Sequence, residues 1–211
     1  TTRKGRMKYI FIVGAPGSKW SSVAKNIYYS PSVDRSDYND SRTYSHSASG
    51  SSQAMHVGAY FDPGMEFDLP ADLTTLTKAE LEAIFDSAFT GEGVRIIKSH
   101  IFANHIDHIK KLFPECPMIL ALRDDDACLG WWVRCGHFNI TYPSYHGYYK
   151  DLKTMAKIID WQNRDIRTAW DYYDGILVRN NQELAEVLGI GAPPDEYQQN
   201  YSVADLEVKV I

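Results

Sequence analysis

Cysteine is scarce in this chain: Cys116, Cys128 and Cys135 are the three present. An odd number without a CxxC spacing builds neither a disulfide framework nor a zinc site, so buried free thiols are the expectation and no metal is implied. Long apolar runs are missing as well. The longest, Tyr9–Val13 and Met118–Leu122, fall far short of the ~20 residues that cross a bilayer. The basic stretch Thr1–Lys8 leads into a short strand-like run and then glycines, without the longer apolar segment and small-residue cleavage site of a signal peptide. A cytoplasmic protein without membrane association is expected. Positive charge is in deficit too, with a net charge of −5 over 211 residues. Nonspecific nucleic-acid binding needs a basic surface that neutralises phosphates, so nucleic acid is not an expected partner. A local basic pocket for a small anion stays open. No repeat and no linker interrupts the chain, and 1–211 reads as a single domain.

What is present is a core's worth of apolar residues, 44% of the chain, and fourteen tyrosines with five tryptophans, most of them after residue 130. Lys8–Val13 is a short β-rich apolar run ending at Gly14, the pattern of a buried parallel strand. Ser21–Tyr29 has helical character. Residues 30–56, rich in Ser, Asp, Tyr and Asn and without a period, are a flexible loop or a lid. Thr77–Phe89 is an amphipathic helix opened by a capping box of Thr77 and Glu80 and closed by Gly91 and Gly93. Strands at Val94–Ile97, Pro117–Leu122 and Gly175–Val178 alternate with helices at His105–Phe113, Asp125–Cys135, Leu152–Tyr173 and Asn181–Leu188. Residues 190–211 are a tail or a late edge element. This alternation predicts an α/β fold: a central, mainly parallel sheet covered by helices on both faces.

Three of the strands end in polar clusters: Gly14-Ala15-Pro16-Gly17-Ser18-Lys19, Lys98-Ser99-His100 and Arg123-Asp124. Ligands of open parallel sheets bind outside the carboxyl ends of the strands, so the three clusters are expected to share one crevice. A glycine-rich strand-to-helix turn aims backbone N–H groups at an anion, and the helix N-terminus adds partial positive charge. The nucleoside-triphosphate motif GxxxxGK[ST] is incomplete. Counting from Gly14, Lys19 stands at the second glycine, Trp20 at the lysine, and only Ser21 fits. No acidic residue for magnesium is evident, since Asp124–Asp126 directly follow an arginine and suit a helix N-terminus.

Taken with these residues, Val94–Trp132 resembles the cytosolic sulfotransferases and their P-loop relatives. Lys98-Ser99-His100 stands for that family's Lys-Thr-His, Arg123-Asp124-Asp125 for its Arg-[Asn/Asp]-Pro segment, and Pro16-Gly17-Ser18-Lys19-Trp20-Ser21 for its Pro-[Lys/Arg]-Ser-Gly-Thr-[Thr/Ser] loop. Gly175–Val178 and Asn181–Gly189 are similar to its late strand and helix. The resemblance implies a P-loop three-layer sandwich and a transfer of the sulfuryl group of 3′-phosphoadenosine 5′-phosphosulfate (PAPS) to a hydroxyl or amine of a small-molecule or glycan acceptor. His100 is the implied general base and Lys98 the implied charge stabiliser. Gly14, Pro16, Gly17, Ser18, Lys19, Trp20, Ser21 and Ser22 are the implied phosphosulfate loop, and Arg123 the implied 3′-phosphate ligand. Three positions depart from the pattern. Gly17 replaces a basic residue, Trp131 replaces a serine, and the late Arg-Lys-Gly clamp has no counterpart nearer than Arg179. A non-catalytic nucleotide-binding protein and a P-loop kinase of a small metabolite are the alternatives.

Other residues admit two readings. His105 and His108 are a solvated helix face or, with His100, part of a metal triad. Trp131, Trp132, Phe138, Tyr142, Tyr145, Tyr148 and Tyr149 are packing residues or the lining of an adenine or acceptor pocket.

Overall fold

The computed structural model describes residues 7–38, 59–65, 67–134, 151–197 and 199–211. Five strands are formed: β1 at Tyr9–Gly14, β2 at Arg95–Lys98, β3 at Met118–Leu122, β4 at Ile176–Val178 and β5 at Glu207–Val210. They make one sheet in the order β2-β1-β3-β5-β4. β1 pairs in parallel with β2 and β3, and β5 lies antiparallel between β3 and β4. Four strands therefore run one way and one runs against them. The fold is α/β with a mixed, mostly parallel sheet.

Every residue of β1 is buried, and its side chains alternate between two cores because successive strand residues face opposite sides. Ile10 and Ile12 enter the first core with Val23 and Ile27 of helix α1 (Trp20–Tyr28). Trp132 of α4 (Asp125–Arg134) and Leu184 of α6 (Asn181–Leu188) join them. Tyr9, Phe11 and Val13 enter the second core with Phe85 of α2 (Lys78–Asp86) and Ile109 of α3 (Ile106–Leu112). Helix α5 (Leu152–Tyr172) serves both: Met155 and Ile159 belong to the first core, Ile166 and Ala169 to the second. In the second core Phe11 meets Phe85, Phe102 and Phe113 with ring centroids 5.8, 5.7 and 5.3 Å away, tilted or edge-on. Such pairs add about 0.5–1.5 kcal/mol beyond burial.

The capping box of α2 forms as expected: the Glu80 amide donates to Thr77 Oγ1 (3.3 Å) and the Thr77 amide to Glu80 Oε2 (2.8 Å). Two segments differ from expectation. Residues 30–38 are not a loose loop. Val33 bridges Val94, the Asp34 amide donates to Val94 O (2.8 Å) and the Val94 amide to Ser32 O (2.9 Å), so the segment pairs with the residue just before β2. The remainder of the expected loop or lid, 39–56, lies outside the described residues. The second difference is β5, which is an interior strand and not a tail or an edge. Leu206, Val208 and Val210 alternate with Glu207 and Lys209, and the valines reach the first core. On the opposite face Lys209 Nζ donates to the carbonyls of Trp170 (2.6 Å) and Tyr173 (2.8 Å), where α5 ends. A cation there satisfies carbonyls that have no helical donor.

Candidate functional site

β1 ends at Gly14 and α1 begins at Trp20, so the intervening residues must reverse within one tight turn. The Ser18 amide donates to Ala15 O (3.0 Å). Gly17 has φ 78° and Lys19 has φ 61°. The left-handed Lys19 stands where the resembled loop has glycine, a backbone shape that costs a non-glycine residue roughly 1–2 kcal/mol. Its Nζ lies 4.4 Å from the ring centroid of Trp131, an attraction of about 0.5–1 kcal/mol. Gly17 is fixed by packing: a Cβ there would lie 1.9 Å from the Cys128 carbonyl oxygen of α4. The basic residue of the resembled loop has no room at this position.

The loop delivers an under-satisfied helix start. Lys19, at the N-cap of α1, makes no side-chain cap bond, and the first turn carries no acid. By contrast α2, α5 and α6 are capped by Thr77, Asp151 and Asn180. Ser18 is fully buried, and its Oγ has no hydrogen-bond partner among the described residues. An unpaired buried hydroxyl costs about 1–3 kcal/mol. Pro16 and Ser21 are buried and Ser22 half-buried. The Ser22 amide donates to Lys19 O (2.9 Å).

The second cluster closes on the first. His100 Nδ1 lies 2.6 Å from Gly14 O. A carbonyl only accepts, so Nδ1 carries the proton and Nε2 keeps its lone pair. Trp20 covers the imidazole at 4.1 Å between ring centroids, and Tyr60 meets it edge-on at 5.7 Å. Burial pushes the His100 pKa down to about 3, Lys98 lowers it further, and the bond to Gly14 opposes both. Lys98 is itself fully buried. Desolvation brings it down to about 8 against the pull of the Asp37 carboxylate. At neutral pH the pair is therefore an uncharged imidazole beside an ammonium.

Two carboxylates that sequence reasoning did not single out support this cluster. Asp62, 2% exposed, accepts from Ser99 Oγ (2.7 Å) and from the Ile101 amide (3.4 Å) on Oδ1. Burial raises its pKa to about 6, while hydrogen bonds from Tyr60, Ser99, Ile101 and His100 hold it down. Asp37 accepts from Tyr28 Oη (3.1 Å) and from the Ala59 amide (2.5 Å). Asp62 precedes Pro63-Gly64 and Asp37 sits among serines and aspartates, so both look like exposed turn residues.

The third cluster meets the first through structure, not through an open charge. Arg123 donates from Nε to Ala204 O (3.1 Å) and from Nη1 to Gly17 O (3.2 Å) and Ala127 O (2.9 Å). It staples the loop, α4 and the segment before β5. Asp124 Oδ1 accepts from the amides of Asp126 (3.0 Å) and Ala127 (3.2 Å), capping α4. Arg123 also borders a cavity of about 510 Å³ shared with Arg167, Ser202 and Asp205. Arg179 is bound to Glu183 at the start of α6. Trp132 is core and Trp131 holds Lys19, while Phe138, Tyr142, Tyr145, Tyr148, Tyr149 and Cys135 lie outside the described residues. His105 Nε2 is bonded to Ala71 O (3.0 Å), and no group of residues able to hold a metal ion occurs among the described residues. No described helix is long and apolar enough to cross a membrane. Comparison of the chain with protein-family models, curated proteins and solved structures found no match.

Proposed function

We propose that the chain is a P-loop-type, sulfotransferase-like enzyme that binds PAPS at the β1–α1 loop and transfers its sulfuryl group to a hydroxyl or amine. The observation that carries this reading is the 2.6 Å bond from His100 Nδ1 to the carbonyl of Gly14. It ties the base to the anion loop and fixes the tautomer whose Nε2 can take a proton. The orphan Ser18 hydroxyl and the uncapped start of α1 suit a bound anion, which would supply the missing acceptors. PAPS supplies a sulfuryl group already bonded to a good leaving phosphate. His100 Nε2 accepts the proton of the acceptor hydroxyl or amine as that atom becomes the nucleophile. Lys98 offsets negative charge beside it. An imidazole with a pKa near 3 is a weak base, and anionic charge in the loop raises it toward the useful range. Arg123 meets a 3′-phosphate only by exchanging carbonyl partners, so phosphosulfate binding rests on the loop.

A second reading, a binding protein without turnover, is favoured by Trp20, whose indole covers His100. Melting temperature measured with 3′,5′-adenosine bisphosphate (PAP), ADP and ATP, each with and without magnesium, tests the nucleotide site, and an assay of sulfuryl transfer from PAPS separates turnover from binding alone. Magnesium-independent stabilisation by PAP supports a PAPS site, with or without turnover, and stabilisation by ATP with magnesium alone replaces it with a kinase. Silence toward all three overturns every nucleotide reading. His100→Ala is expected to abolish sulfuryl transfer while PAP still binds. Loss of PAP binding in that variant would make the histidine structural.

A further inference from the structure

On the second core's side, the short 3-10 helix His100–His105, α3 and the C-terminal half of α5 enclose a cavity of about 450 Å³, within the size range of small-molecule sites. Its wall carries Asn104, His105, Asp107, Asp165, Thr168 and Tyr172, and neither lysine nor arginine. The hydrogen bonds of the wall leave an excess of acceptors. Asn104 Nδ2 donates to Asp165 Oδ2 (2.8 Å), and Tyr173 Oη donates to Asp107 Oδ1 (2.7 Å), so one oxygen of each carboxylate remains unoccupied by the described residues. Thr168 Oγ1 spends its proton on Arg164 O (3.0 Å), and His105 spends its Nε2 proton on Ala71 O, which leaves Nδ1 as an acceptor. His108 also borders the cavity, and its buried Nε2 has no hydrogen-bond partner among the described residues. Tyr172, which borders the cavity and is 77% exposed as a residue, offers an aromatic face that attracts a cation.

A ligand that suits this wall brings donors and positive charge. We infer that the cavity is a binding site for a small organic amine in its ammonium form, separate from the anion loop and independent of whether that loop binds PAPS. A carboxylate oxygen facing an ammonium makes a charge-assisted bond, and the apolar floor of Ala103, Ile106 and Ala169 accepts a short methylene chain.

The test uses the full chain and putrescine, with 1,4-butanediol as the uncharged isostere and succinate as the anion of matched length, followed by calorimetry and melting temperature at neutral pH and fixed ionic strength. Putrescine is expected to bind and to raise the melting temperature, and the diol and the dianion to do neither. Asp165→Asn keeps the shape and is expected to weaken putrescine about tenfold, with a similar loss in Asp107→Asn. Tyr172→Ala, at an exposed position that leaves the fold intact, is expected to weaken it about threefold. His100→Ala and Ser18→Ala are expected to leave putrescine binding unchanged. Equal effects of diol and putrescine, or unchanged putrescine affinity in the Asp107→Asn/Asp165→Asn pair, would overturn the assignment.

Discussion

The carboxyl ends of the parallel strands hold two buried polar regions that are built in opposite ways. Around β3, most polar atoms are paired: Arg123 with three carbonyls, Asp124 with two amides and Asn163 Nδ2 with Arg123 O and Asp125, while Asn163 Oδ1 has no partner among the described residues. Around β1 and β2, the groups are held away from their ordinary states. Ser18 lacks a partner among the described residues, Lys19 is left-handed, His100 is kept neutral, Lys98 is depressed and Asp62 is raised. Paired buried groups specify and hold a scaffold. Unpaired and shifted ones mark where binding energy has yet to be collected. The two regions touch at Gly17, whose carbonyl the Arg123 staple grips, so the more fully paired half holds the other in place.

The largest expected effect comes from breaking the staple. Arg123→Met leaves the carbonyls of Gly17, Ala127 and Ala204 without this donor and is expected to lower stability in urea unfolding by about 3–5 kcal/mol. A loss under about 1 kcal/mol would remove the contrast between the two regions. The pH dependence of the other half comes next. His100 stays neutral in the folded chain down to about pH 3 and takes up a proton near 6.5 when unfolded. The unfolded state thus binds more protons in that window, and stability falls as pH falls through it. Asp62 acts in the opposite sense. Folded, it keeps its proton up to about pH 6, and unfolded it loses it near 3.8, so its contribution falls as pH rises through that window. Each slope is at most about 1.4 kcal/mol per pH unit. Between about pH 4 and 6 the two oppose. Relative to the parent chain, Asp62→Asn is expected to gain stability more steeply with rising pH, and His100→Phe less steeply or with reversed sign. Identical slopes in all three proteins would mean that neither group is shielded from water.

Smaller effects sharpen the comparison at single atoms. Ser18→Ala removes an unpaired hydroxyl and is expected to leave stability unchanged or raised by up to about 1 kcal/mol, while PAP affinity measured by calorimetry falls about fivefold. A destabilised Ser18→Ala with unaltered PAP affinity would place that hydroxyl in the scaffold. Lys19→Gly relieves the left-handed backbone but loses the Trp131 contact, for a net gain of up to about 1.5 kcal/mol. Lys19→Ala keeps the strain and loses the contact, and its urea midpoint is expected to fall below that of Lys19→Gly.

The paired half and the strained half were unequally legible in the sequence. β1, β2 and β3 announce themselves as apolar runs ending in polar clusters, and the Thr77–Glu80 box marks its helix start, because each signal is local. The meeting of Gly14, His100 and Arg123 follows from the carboxyl-end rule once the strands are parallel. Asp37 and Asp62 stayed hidden since nothing in a turn-like context shows that an aspartate will be buried; that depends on Tyr28, Ser99 and the amides of Ala59 and Ile101 arriving from elsewhere. Gly17 is similar, its necessity set by a carbonyl of α4, distant in sequence. β5 did carry a readable signal, the alternation of Leu206, Val208 and Val210. Its place between β3 and β4 is a matter of long-range pairing that alternation alone does not assign.

That placement has a consequence for how the protein is made. β4 pairs with β5, and β5 occupies the space between β4 and β3. Until residues 207–210 have left the ribosome, Ile176–Val178 have no strand to join, although the β2-β1-β3 core and its helices can already assemble. At roughly 5–20 residues per second the interval between the two strands lasts about two to six seconds. During synthesis the sheet therefore waits, open at β3, for a closing strand that arrives late and enters against the direction of its neighbours. Any stall or truncation before that point leaves the Met118–Leu122 edge available to pair with another chain.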